Sequence, residues 1–183
     1  MNYELKKTVV LVGMMGCGKT AVGGALARLL GVPFLDSDEE IVAAANMSIA
    51  EIFARDGEAF FRDRETEVIA RLLEEERGVL STGGGAFLSA RNREIIAAKG
   101  VSVWLRADLE LLWQRVRHKT TRPLLRTENP KQTLAELFRL RTPEYAKADL
   151  VVEAEAEYSI EDMAQRVAEA LLTRPDVLEV RDE

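Results

Sequence analysis

Residues Gly13-Met14-Met15-Gly16-Cys17-Gly18-Lys19-Thr20 fit the pattern G-x-x-x-x-G-K-S/T without a mismatch. The chemistry of that spacing is phosphate binding. Glycines let successive backbone N–H groups turn into one anion-sized hollow, and a helix N-terminus behind them adds partial positive charge. Lys19 can then reach the β- and γ-phosphates of a nucleoside triphosphate, and the Thr20 hydroxyl can ligate Mg²⁺. Gly13, Gly16, Cys17, Gly18, Lys19 and Thr20 are the expected nucleotide-binding set. Cys17, the only cysteine, lies at that helix start close to Lys19. Both charges favour thiolate, so a thiol more reactive than a free one is expected, without a part in catalysis.

Further groups with chemical potential follow along the chain. Asp36-Ser37-Asp38 sets two carboxylates two residues apart. Such residues cap helices, and beside a phosphate loop they can also serve as an oxygen ligand for Mg²⁺ and a base for an acceptor hydroxyl. Three consecutive glycines, Gly83-Gly84-Gly85, cost more backbone entropy than a turn requires, which points to bare backbone pressed against a ligand. Arg62 and Glu65 are three apart, so the carboxylate can orient the guanidinium, although an ordinary solvated ion pair has the same spacing. The segment Arg115 to Arg126 carries six cations in twelve residues when His118 is counted, a density expected of a mobile lid closing on phosphates. Arg141 adds one more cation further on.

The elements that must position these residues can be read from the same chain. Thr8–Val12 is a short β-branched run of the kind that forms a buried parallel strand, and Ala21 to Leu30 after it reads as a helix. A phrase of helix, glycine, strand then recurs at Gly31, Gly78 and Gly100, where glycine is expected to supply a left-handed cap. Ser48 with Glu51 reads as a capping box, Ser89 precedes a helix, and Asn129-Pro130 reads as N-cap and first helical residue. A last strand is expected at Leu150-Val151-Val152 and a last helix from Ile160 to about Leu172. Five strands alternating with helices predict an α/β fold with a parallel sheet covered on both faces and ligands at the strands' C-terminal ends.

Composition narrows the classes. The 183 residues (20.4 kDa) are 47% hydrophobic and 31% charged, as in a folded globular domain. A net charge of −6 and a pI near 5.1 argue against nucleic-acid binding, so any anion site is made locally by a few arginines. One cysteine excludes an internal disulfide. The N-terminus has no signal-peptide core and no apolar run reaches membrane-spanning length, which leaves the cytoplasm as the expected compartment and excludes a membrane partner. The reading is of one domain over residues 1–183, with a core at about 8–172, a lid at about 117–129 and a charged, peripheral tail at about 174–183.

The phosphate loop, Asp36-Ser37-Asp38, Phe61-Arg62-Asp63-Arg64-Glu65, Gly83-Gly84-Gly85, Arg122-Pro123-Leu124-Leu125 and Arg141-Thr142-Pro143-Glu144-Tyr145 occur in the order and at about the spacing of the shikimate kinases. From about Thr8 to Leu172 the chain resembles a bacterial member of that family. The resemblance implies a three-layer α/β/α P-loop kinase fold with strand order 2-3-1-4-5 and a mobile lid. It also implies transfer of the ATP γ-phosphoryl group to the 3-hydroxyl of shikimate, with Mg²⁺, by a monomer. Under it, Arg62 and Arg141 clamp the substrate carboxylate, Glu65 holds Arg62, and Gly84 and Gly85 offer backbone N–H groups. Asp38 orients the attacking hydroxyl and accepts its proton, and Asp36 reaches Mg²⁺ through water. Lys19 and Arg122 stabilise charge on the transferring group, and Arg115 stacks on adenine, with Arg117 competing for that role. The other readings are a kinase of the same fold acting on gluconate or a nucleoside monophosphate, and a non-catalytic nucleotide-binding module.

Overall fold

All five residues of Thr8–Val12 are buried, and they form a strand numbered β2 because Asn2–Leu5 makes a strand, β1, ahead of it. The computed structural model describes residues 2–117 and 127–181. After β2 come α1 (Lys19–Leu30), β3 (Phe34–Asp36), α2 (Ser37–Ala45), α3 (Ile49–Asp56), α4 (Glu58–Glu75) and β4 (Val79–Ser81). A 3₁₀ turn at Ala86–Leu88 leads into α5 (Ala90–Lys99), β5 (Gly100–Arg106) and α6 (Leu109–Val116). The chain ends with α7 (Pro130–Tyr145), β6 (Leu150–Glu153), α8 (Ile160–Leu172) and β7 (Leu178–Arg181).

The main sheet has five parallel strands in the order β3-β4-β2-β5-β6. Counted from Thr8–Val12 as the first, this is the expected order 2-3-1-4-5. Its middle strand is flanked on both sides, with Val10 opposite Leu80 on β4 and Ser102 on β5, which explains a run without polar alternation. From β2 the chain steps to the β3 edge, and every later step runs the other way. Right-handed crossovers therefore put α1 on one face and the helices between later strands on the other. The packing agrees: α1 lies against α8, α4 against α2, α3 and α5, and α6 against α7. Apolar side chains from both layers, including Leu11, Leu26, Ile69, Leu80, Ile96 and Leu171, fill the core.

Helix starts follow the local signals. Ser89 accepts from Asn92 N–H, and Asn129 accepts from Gln132 N–H with Pro130 as first helical residue. Ser48 caps α3 by accepting from Glu51 N–H, but the reciprocal box lies at Ser159 and Asp162 instead. Two glycine expectations need correction. Gly31 is a left-handed cap (φ 68°), whereas Gly100 is extended and opens β5, and α4 ends at Glu75 before Gly78. A side chain at Gly100 would lie 2.7 Å from the Thr8 carbonyl, and one at Gly78 would run into the Pro33 carbonyl. Close backbone approach requires glycine at both.

The charged tail is not peripheral. β7 pairs antiparallel with β1, Lys6 N–H donates to Val177 O (2.7 Å), and Val177 and Leu178 are fully buried. Exposed ion pairs Lys6–Glu179 and Arg181–Glu4 flank this ribbon. Two buried apolar residues in a charged segment outweigh the surface character of their neighbours.

Candidate active site

The phosphate loop leaves the C-terminal end of β2 and enters α1. Gly16 (φ 86°) and Gly18 (φ 98°) take the left-handed backbone that the cradle needs. At Gly16 a side chain would also lie 2.7 Å from Val116 on α6. The Lys19 ammonium donates to the Gly13 carbonyl and, at 3.4 Å, to the Met14 carbonyl. Arg115 on α6 donates to Gly16 O at 3.1 Å. Gly16, Gly18, Lys19 and Arg115 line a cleft of about 600 Å³ together with Thr20, Asp36, Asp38, Ser81 and Thr82. Arg115 lines it, and Arg117 is not among the lining residues. Tyr158, Ser159, Ile160 and Met163 close its far side from α8 and the loop before it. Sequence analysis marked that segment only as the start of the last helix at Ile160, without a role in the cleft.

Cys17 lies inside the loop, but its side chain is only 1% exposed. A thiol must be accessible to react, so this burial works against the expected high reactivity. Arg122 and residues 118–126, most of the expected lid at about 117–129, lie outside the described residues.

The acidic pair divides its labour. Asp36 caps α2, its Oδ1 accepting from Asp38 N–H (2.9 Å) and Glu39 N–H (3.1 Å). Asp38 is the more unusual group: its Oδ1 is buried with no hydrogen-bond partner. Burial pushes its carboxyl above the usual carboxylate range, the Asp36 charge adds to this, and Lys19 and Arg62 oppose it. A carboxyl poised in this way beside a phosphate loop suits a general base.

The triple glycine holds the acceptor side together. A methyl group on Gly83 would lie 2.9 Å from Asp38 Oδ1, one on Gly84 2.8 Å from Arg141 Nη1, and one on Gly85 2.8 Å from Arg62 Cζ. Three functional side chains thus lie directly on three successive α-carbons. None of the three has positive φ, so close approach, not backbone freedom, explains the run. The loop itself is pinned: Thr82 Oγ1 donates to Leu11 O (3.0 Å), Asn92 Nδ2 to Ala86 O (2.9 Å), and Tyr145 Oη to Gly84 O (2.5 Å). Sequence reasoning missed Asn92, and it quoted Tyr145 without giving it a role.

Arg62 donates to Glu65 Oε1 at 2.9 Å and spans the Phe61 ring. Glu65 is 1% exposed, and its Oε2 has no partner. Burial pushes its carboxyl up although Arg62 pulls it down. Arg141, on α7, is buried at 8% exposure and makes no ion pair with a carboxylate among the described residues. Arg62, which also lies 3.7 Å from the exposed Glu58, and Arg141 thus sit over neighbouring glycines, an arrangement that suits an anionic ligand.

For Mg²⁺, the donors present fit a partly protein-bound ion. Thr20 and Asp36 line the phosphate cleft, and the described residues contain no cluster of three or more acidic, histidine or cysteine ligands. Mg²⁺ commonly takes one or two protein oxygens and completes its shell with phosphates and water.

A parallel sheet with a glycine-lysine-threonine cradle at the end of its central strand, and an anion-receiving face beside it, defines a P-loop kinase of small molecules. Within that class the chain belongs to the shikimate kinase family, whose model matches residues 15–172. A shikimate kinase of Cereibacter sphaeroides is 68% identical over 176 residues, covering 96% of this chain and 88% of that relative. One of Ruegeria pomeroyi is also 68% identical, covering 96% and 90%. The solved shikimate kinase of Acinetobacter baumannii in complex with shikimate is 42% identical, with a TM-score of 0.87, and covers 92% of this chain and 94% of that one.

Proposed function

We infer that this chain transfers the γ-phosphoryl group of ATP to the 3-hydroxyl of shikimate, giving shikimate 3-phosphate and ADP. One observation carries the reading: Asp38, Arg141 and Arg62 lie in sequence over Gly83, Gly84 and Gly85. That row sets a base at one end and a pair of guanidiniums at the other, matching a molecule with a hydroxyl and a carboxylate on opposite sides of a ring.

The arginines grip the carboxylate by charge-assisted hydrogen bonds, and Glu65 fixes the Arg62 plane so that its free edge faces the ligand. Gly84 and Gly85 bring backbone N–H groups to the same ligand. With the ring anchored, the 3-hydroxyl lies by Asp38, which orients it and receives its proton at the otherwise unpartnered Oδ1. Phosphoryl transfer has a loose transition state, so positioning and charge neutralisation dominate. Lys19 turns from the loop carbonyls to the phosphates, Arg122 adds its charge on the transferring group, and Arg115 packs on adenine. Thr20 directly and Asp36 through water would hold Mg²⁺, which supplies charge neutralisation at the β- and γ-phosphates. All 183 residues act as one unit, a cytoplasmic monomer without nucleic-acid or membrane partners; no described helix is long and apolar enough to cross a membrane.

Shikimate is favoured over gluconate or a nucleoside monophosphate by the family match and by the similarity to a shikimate complex. ADP release measured with each acceptor in turn tests this. Shikimate alone should stimulate release well above the rate without acceptor, and equal stimulation by gluconate would refute the assignment.

A further inference from the structure

Tyr145 stands four residues after Arg141 on α7, so the two side chains share one helix face. The tyrosine is 1% exposed, an unusual cost for a phenol unless its hydroxyl is satisfied. It is: Oη donates to the Gly84 carbonyl at 2.5 Å. Measured from the place where a Gly84 side chain would begin, Arg141 Nη1 is 2.8 Å away and Tyr145 Oη 3.8 Å. The guanidinium and the phenol therefore lie side by side over one α-carbon. On its other side the Tyr145 ring packs on Trp104 of β5, centroids 6.1 Å apart. Burial pushes the phenol up to about 12, with Arg141 pulling it partly back. The hydroxyl consequently stays protonated and donating at every working pH.

We propose that Tyr145 is a positioning residue for the carboxylate clamp, fixing the Arg141 guanidinium relative to the glycine loop through its bond to the Gly84 carbonyl. Gly84 carries no side chain that could hold Arg141 in place, and Arg141 has no carboxylate partner among the described residues. Glu65 performs that service for Arg62; a phenol performs it for Arg141. A neutral partner leaves the full guanidinium charge for the ligand, which a second carboxylate would have reduced. The inference rests on the reading of Arg141 as a substrate ligand.

Tyr145→Phe keeps the ring against Trp104 and removes only the hydroxyl. The shikimate KM should rise roughly tenfold, the scale of one buried hydrogen bond lost, while kcat and the ATP KM stay within about twofold. Arg141→Ala should raise the shikimate KM further by itself, and adding Tyr145→Phe to it should change little more, since the residue being positioned is gone. An unchanged shikimate KM in Tyr145→Phe overturns the proposal, as do equal losses for both substrates, the same loss in the Arg141→Ala background, or a variant that no longer folds. An Arg141→Ala enzyme with normal shikimate KM would instead overturn the clamp itself.

Discussion

Asp38→Asn should cost activity and yield stability. The Asp38 Oδ1 atom is buried without a partner and Asp36 lies two residues away, so ionisation of this carboxyl works against the fold. A buried polar group left unpaired costs about 1–3 kcal/mol. Lys19 and Arg62 offset part of that, and the amide keeps part of the desolvation cost, so a gain of about 1 kcal/mol is expected. For a chain of this length such a gain raises Tm by roughly 2–4 °C. The sign of the pH dependence follows from linkage. The folded pKa is raised above its ordinary value of 3.8, so the native state holds more protons than the unfolded chain between those two values. Stability therefore falls as pH rises through that window, and the penalty is fully present above it. The Tm advantage of Asp38→Asn should be full at pH 8 and shrink as the pH approaches 4. The same variant should lose roughly 10²-fold or more in kcat, since a positioned base is gone, with ATP affinity nearly unchanged. Paired thermal scans and ADP-release kinetics check both halves. A lower Tm at pH 8 would refute the electrostatic reasoning, and near-normal turnover would remove Asp38 from the mechanism.

Arg62→Ala should cost about 2–4 kcal/mol in kcat/KM for shikimate while ATP binding measured without shikimate stays intact. Arg62→Lys should recover little, because an ammonium cannot form the planar fork; equal losses in ATP affinity would place Arg62 in the nucleotide site. Gly83→Ala should lower kcat and Gly85→Ala should raise the shikimate KM, because the added methyl displaces Asp38 in one and Arg62 in the other; steady-state kinetics showing the same pattern for both would contradict this division. Cys17 should be alkylated more slowly in the native protein than after unfolding, and Cys17→Ser should remain active. Fast native labelling by a mass-spectrometric time course would contradict its burial.

The parallel sheet was legible because its strands are short apolar runs alternating with helices, both local signals, whereas the strand order came only from the resemblance to the shikimate kinases. The phosphate loop was legible for the same reason: its residues are contiguous. What the triple glycine does was not, since Asp38, Arg62 and Arg141 reach it from three separate elements. The sequence suggested a ligand against bare backbone, but could not show that three of the protein's own side chains also lie there. Gly78 and Gly100 misled similarly, because a glycine kept for close approach to Pro33 or Thr8 looks in sequence like a helix cap. The burial of Cys17 and of Val177–Leu178 depends on packing from distant elements, α6 and β5 around the loop and β1 against the tail. Tyr145 was visible as a residue of a motif, but its bond to Gly84 exists only in three dimensions.

The central claim is most directly tested by following the phosphorus of ATP. With Mg²⁺, ATP and shikimate, ³¹P NMR should show one new phosphate monoester on the 3-oxygen, formed in equal amount to ADP and without release of inorganic phosphate. ATP consumed to inorganic phosphate regardless of shikimate, or phosphate carried on another oxygen, would contradict the account.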